Sequence, residues 1–213
     1  MDAMDVESPA GVEPEPPSVF LNFPYDRQFE PLYIAYISGV CSFGLTPRVA
    51  LELPGGERRL NRIVELILSC QYSFHDLSRV ELTPRRPHTP RMNMPFELGL
   101  TVMASYFNPK HPTWCIFEKD YRRVLKSLGD LAGSDIYSHD GRPTGVLRGI
   151  ANALVAEERQ PDMVQLLAVY RDVRAVLLTI LKKRGAKSCY EAAVFRDLVY
   201  AAQKSVKSAR GLA

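Results

Sequence analysis

The sequence predicts a three-layer α/β domain built on a parallel sheet of about five strands, with an appended C-terminal α-helical hairpin. Short apolar runs alternate with stretches of helical periodicity, and past Gln160 the strand signals stop while two amphipathic patterns follow. The length of 213 residues holds one domain of this kind with roughly 50 residues to spare. Strands separated by helices form βαβ units, which wind a parallel sheet with right-handed crossovers.

The elements follow in order. Ser18 to Asn22 is an apolar run closed by Pro24, and a helical pattern begins near Phe29 with Pro31 tolerated in its first turn. Leu45 to Leu53 reads as a second strand and Pro54-Gly55-Gly56 as a turn. Arg59 to Cys70 then places Leu60, Ile63, Val64, Ile67 and Leu68 on one helical face. Tyr72 to Asp76 is a third strand, followed by a polar loop with Pro84, Pro87 and Pro90. A helix from about Met94 to Tyr106, a strand from Pro112 to Phe117 and a shorter strand from Ser134 to Tyr137 complete the sheet. The hairpin opens at Pro161, with Met163, Leu166, Leu167, Tyr170, Val173, Leu177, Ile180 and Leu181 at three-and-four spacing. Gly185 is its stop, and Ser188 to Glu191 matches a capping box for the last helix. The expected divisions are an acidic, Pro-rich, disordered leader over 1–17, the α/β domain over 18–158 and the hairpin over 159–213.

Hydrophobic residues are 46% and charged residues 24%, which excludes collagen-like, largely disordered and disulfide-scaffold classes. No window of 18 uninterrupted apolar residues and no basic-then-apolar leader is present, so a cytoplasmic protein without a membrane partner is expected. Cys41, Cys70, Cys115 and Cys189 form no C-x-x-C pair, and His88, His111 and His139 have no ligand spacing; no metal is expected. The net charge of +3 is uneven, because residues 1–17 hold five acids and no base, leaving +8 on the remainder. Residues 161–213 hold ten Lys or Arg against four Asp or Glu. That excess suits nucleic-acid phosphates, and equally a soluble helix end with favourable dipole interactions.

In parallel sheets, ligands sit beyond the carboxyl ends of the strands, where strand order reverses. Three segments fall there: Phe20 to Asp26, His75 to Arg79 and Arg91 to Leu100. Asp76 closes a buried strand and Glu97 lies in the first turn of the next helix, so two carboxylates are expected to converge on one ligand. Paired carboxylates suit cleavage at an anomeric carbon, where one attacks or stabilises an oxocarbenium-like centre and the other assists. Glu97 is equally placed to complement the helix dipole, and Asp76 to cap the turn through the amides of Ser78 or Arg79. Asn22, Pro24, Tyr25 and Asp26 form a loop able to cradle a ribose or base. Arg79 and Arg91 suit phosphates or structural ion pairs, and Arg48 suits Glu52 or a phosphate. His75 reads as a satisfied core histidine.

The order of strand, His75-Asp76-Leu77-Ser78-Arg79, Pro-rich loop and helical Pro95-Phe96-Glu97-Leu98-Gly99 resembles the nucleoside 2-deoxyribosyltransferase-like and TIR-like branch of flavodoxin-type folds. It is most similar to an uncharacterised bacterial group there, over roughly residues 18 to 140. The resemblance implies a nucleoside, nucleotide or NAD as substrate, N-glycosidic cleavage or transfer, and a place in bacterial defence or signalling. It implies Glu97 and Asp76 as catalytic residues; from their places in the three strand-end segments, Asn22, Pro24, Tyr25, Asp26, Ser78, Arg79, Arg91 and Asn93 are the residues expected to bind substrate. No cofactor is implied beyond NAD or a nucleotide as substrate. Two other classes fit the sequence: a non-catalytic nucleotide-sensing or interaction module, and nucleic-acid binding through the basic hairpin. The hairpin's apolar stripe also suits a homo-oligomer.

Overall fold

A computed structural model describes residues 16–53, 58–80, 86, 89–107, 113–209 and 211. Five strands form one all-parallel sheet: β1 (Ser18–Asn22), β2 (Thr46–Arg48), β3 (Tyr72–Asp76), β4 (Thr113–Glu118) and β5 (Ile136–Ser138), in the order β2-β1-β3-β4-β5. Strand order reverses between β1 and β3, where Val19 pairs with Tyr72 and Asn22 with His75. This is the three-layer flavodoxin-like architecture the sequence predicts.

Alternation along the strands sends successive side chains to opposite faces. Val19, Leu21, Phe74, Cys115 and Phe117 join α1 (Glu30–Ser42) and α4 (Pro143–Ala153) in the larger core. Phe20 packs on Ile63, Leu66 and Ile67 of α2 (Arg59–Leu68), and Ile116 on Met94 and Leu98 of α3 (Asn93–Phe107), on the other face. Residues 32–42 of α1 are buried all round, which accounts for its mostly apolar sequence, interrupted by the buried Ser38 and Ser42. Its outer side is covered by the hairpin, α5 (Met163–Arg184) and α6 (Ala192–Ala209), whose Leu166, Val173, Phe195 and Leu198 enter the same core.

Several elements differ from expectation. The strand expected over 45–53 is only Thr46–Arg48, because Glu52 accepts from Val49 N (2.8 Å) and Arg48 Nε (3.1 Å) and folds Ala50–Glu52 into a 3₁₀ turn. The stripe of α2 buries Leu66, whereas Leu60 and Leu68 are exposed. Helix α4 was not expected; Pro143 opens it, and Val146, Leu147 and Ile150 are its buried face. Gly149 allows it to lie on the sheet, since a Cβ there would stand 2.7 Å from Phe117 Cε1. Pro161 precedes the first turn of α5: Asp162 is the N-cap, exchanging hydrogen bonds with Gln165, and Gly185 ends the helix at φ 61°. Half of the Ser188–Glu191 box is present: Glu191 Oε1 accepts from Ser188 N (3.3 Å), but Ser188 Oγ accepts from Tyr190 N (3.2 Å) rather than from Glu191 N, and α6 starts at Ala192. The leader over 1–15, the 54–56 turn, Pro84, Pro87, His88, His111 and Pro112 lie outside the described residues.

Candidate functional site

A cavity of about 540 Å³ opens at the carboxyl end of β1, at the switch point. Asn22, Pro24 and Tyr25 form one wall, Arg59 and Ile63 of α2 a second, and Arg91, Asn93, Phe96 and Glu97 a third. Six of the ten residues expected at the site therefore share one cavity. Asp26 borders it through Arg91, whose Nη1 lies 3.0 Å from Asp26 Oδ2. The other Asp26 oxygen accepts from Gln28 N and Phe29 N, turning the chain into α1, and lies 3.5 Å from Arg79 Nη2. The hairpin buttresses this loop: Tyr190 donates to the Asp26 carbonyl at 2.7 Å and its ring meets Tyr25 edge-on.

Glu97 is the fifth residue of α3, at the start of its second turn rather than in the first, because the helix starts at Asn93, so the helix dipole gives it little benefit. Burial raises its carboxyl to about 7, moderated by the positive charge of Arg59. Arg59 is held to that wall by the carbonyls of Ala50 (3.2 Å) and Leu53 (3.4 Å). The Tyr25 phenol is pushed well above its ordinary range, chiefly by burial of its hydroxyl end and then by the negative charge of Glu97. Tyr25 is 41% exposed and lines the cavity together with Glu97.

Asp76 is not in this cavity, and the expected convergence of two carboxylates does not occur. The pleat directs Asp76 to the α1 face, next to Phe117, whereas Asn22 and Glu97 lie on the α2–α3 side. Asp76 is 1% exposed. Its Oδ2 accepts from Tyr36 OH (2.8 Å) and faces His139 Nε2 (3.1 Å), and its Oδ1 accepts from Ser78 N (2.9 Å). Of the two roles open to Asp76, the structure shows the turn-capping one. Ser78 and Arg79 likewise stand apart, lining a smaller cavity of about 240 Å³ with Gln28, Lys119, His139 and Gly141. Arg79 also donates to Gln28 Oε1.

Sequence reasoning missed Arg59, Phe96 and His139. Arg59 is one of many arginines and reaches the cavity only because α2 crosses β1. His139 lies in the loop after β5 but is buried at 1% exposure, accepts from Gly141 N at 3.0 Å and lies 2.9 Å from Ser78 Oγ. Arg48 pairs with Glu52. Among the described residues, no cluster of three or more His, Cys, Asp or Glu is arranged to hold a metal.

Comparisons with protein-family models, with curated proteins and with solved structures give no match. Function is therefore to be sought in the local chemistry of the cavity. No helix among the described residues is long and apolar enough to cross a membrane.

Proposed function

We propose that the chain binds a nucleoside, nucleotide or NAD in the switch-point cavity and cleaves or transfers its N-glycosidic bond, with Glu97 acting at the anomeric carbon. The observation that supports this is a half-buried carboxyl group lining an open cavity at the ligand-binding edge of the sheet, raised to about 7 by burial. A structural carboxylate would be paired or solvated; this one is desolvated, with Arg59 moderating its charge.

In its ionised form Glu97 attacks the anomeric carbon, or stabilises the positive charge that develops there as the C–N bond lengthens. The departing base takes the bonding electron pair; the oxygen or nitrogen of water or of an acceptor then bonds the anomeric carbon, displacing the Glu97 carboxylate where it has bonded there, and the proton lost by that water or acceptor is the one the base gains. Tyr25 and Arg59 are the polar groups closest in role to an assisting partner, in place of Asp76. Arg91 and Asn93, at the cavity mouth, suit the outer polar part of the ligand.

The test is to incubate wild-type protein and Glu97→Gln with NAD and a panel of nucleosides and nucleotides, following free base by chromatography. Release by wild type and not by the variant is the expected result. Ligand-induced thermal stabilisation without released base would favour a nucleotide sensor using the same cavity. The absence of both signals would overturn the reading.

A further inference from the structure

Deeper in the cavity, at the end of β1, the orientation of one side chain follows from its partners. Asn22 is 5% exposed, and its amide nitrogen lies 2.9 Å from the Met94 carbonyl oxygen and 2.9 Å from His75 Nδ1. A carbonyl oxygen only accepts hydrogen bonds, so the amide atom beside it must be nitrogen. The second N–H of Asn22 then meets His75 Nδ1, which is the unprotonated ring nitrogen. Burial lowers His75 to about 3, so the ring is neutral and its proton sits on Nε2, 2.7 Å from Ser73 Oγ. Ser73 faces Thr101 Oγ1 at 3.5 Å, and Thr101 donates to the main-chain carbonyl of Glu97 at 3.0 Å. Donation thus runs one way, from Asn22 through His75, Ser73 and Thr101 to the turn of α3 that carries Glu97.

Both N–H groups of Asn22 are occupied. Its Oδ1 has no hydrogen-bond partner among the described residues, and Asn22 lines the cavity. We propose that Asn22 Oδ1 accepts a hydrogen bond from a sugar hydroxyl of the ligand, making Asn22 a specificity residue and His75 its positioning residue. This rests on the nucleoside reading above. The relay holds an acceptor in fixed register with the carboxylate that acts at the anomeric carbon, and the group a nucleoside presents beside that carbon is a hydroxyl donor. A site built around such a bond rejects ligands lacking the donor, because the buried acceptor is left unpaired.

Binding of adenosine, guanosine, cytidine and uridine to the full chain is measured by calorimetry, each beside its 2′-deoxy and 3′-deoxy analogues. For wild type, at least one ribosyl ligand should bind about tenfold more tightly than one of its deoxy analogues, and Asn22→Ala should shrink that gap below about threefold. His75→Phe should narrow it similarly, whereas His75→Gln, which keeps an acceptor for the Asn22 amide, should retain most of it. Nitrogen-15 NMR of wild type supplies a readout independent of any variant's folding, with His75 expected as the neutral Nε2–H tautomer over roughly pH 5 to 8. Deoxy analogues that bind wild type as tightly as their ribosyl parents would overturn the assignment while leaving nucleoside binding intact. An Nδ1–H tautomer would overturn the orientation. No binding by any ligand of the panel would overturn the nucleoside reading and this inference with it.

Discussion

Two carboxyl side chains stand near the same edge of one sheet and have opposite surroundings. Asp76 is saturated by a tyrosine hydroxyl, a histidine and a backbone amide, and holds together the ends of β3, β5 and the middle of α1. Glu97 is desolvated, moderated by Arg59 and open to a cavity of about 540 Å³. A buried carboxyl group with three hydrogen-bond partners serves the fold. One that remains underpaired at a ligand-binding edge costs stability and retains capacity for chemistry. The second condition, more than residue type or strand-end position, separates the candidate site from its neighbour.

The largest expected effect tests Glu97 directly. Glu97→Gln should reduce base release by on the order of 10²-fold or more while leaving the fold intact; equal turnover in the two proteins would erase the distinction between the carboxylates. Next comes Asp76→Ala, which strips the partner from Tyr36 and His139 in the interior. A loss of about 3 kcal/mol in denaturant unfolding is expected, and a loss below about 0.5 kcal/mol, the scale of an ordinary surface change, would contradict its structural role.

A subtler contrast appears with pH. The folded protein keeps a proton on Glu97 up to about 7, whereas the unfolded chain releases it near 4.5. Between those values the folded state binds more protons, so this group's contribution lowers wild-type stability as pH rises and levels off above about 7. Relative to wild type, Glu97→Gln should gain stability progressively across that window, and chemical denaturation at several pH values would show it. A nucleophile must be ionised, so wild-type turnover should rise through about pH 7. The smallest effect belongs to Arg91→Ala. Its exposed pair with Asp26 should contribute no more than about 1 kcal/mol to stability, so a clear weakening of nucleotide binding in that variant would mark Arg91 as a ligand contact.

Much of the architecture was legible along the chain because periodicity and punctuation are local properties. The run ending at Asn22, Pro31 at the start of α1 and Gly185 at the end of α5 each name an element or its limit. The boundary of β2 was not legible, because it depends on Glu52 reaching back to the Val49 amide. The inward turn of Leu66 likewise depends on how α2 is rotated against Phe20. At the site, the loop Asn22 to Tyr25 and the helical Glu97 were readable as strand-end chemistry, and the cavity does unite them. Arg59 and His139 carried no signal, since their importance comes from helix crossing and from the β5–α4 turn.

What the order of residues determines by itself is the alternation of strands and helices, the parallel sheet they demand and the edge at which ligands can bind, because these follow from hydrophobic period and chain chirality. Only the tertiary structure decides that Asp76 and Glu97 part company. The two side chains are separated by the thickness of the sheet: the pleat sends Asp76 toward Tyr36 on the α1 face, while α3 carries Glu97 on the opposite one. A strand's two faces are one residue apart in sequence and a whole layer apart in space.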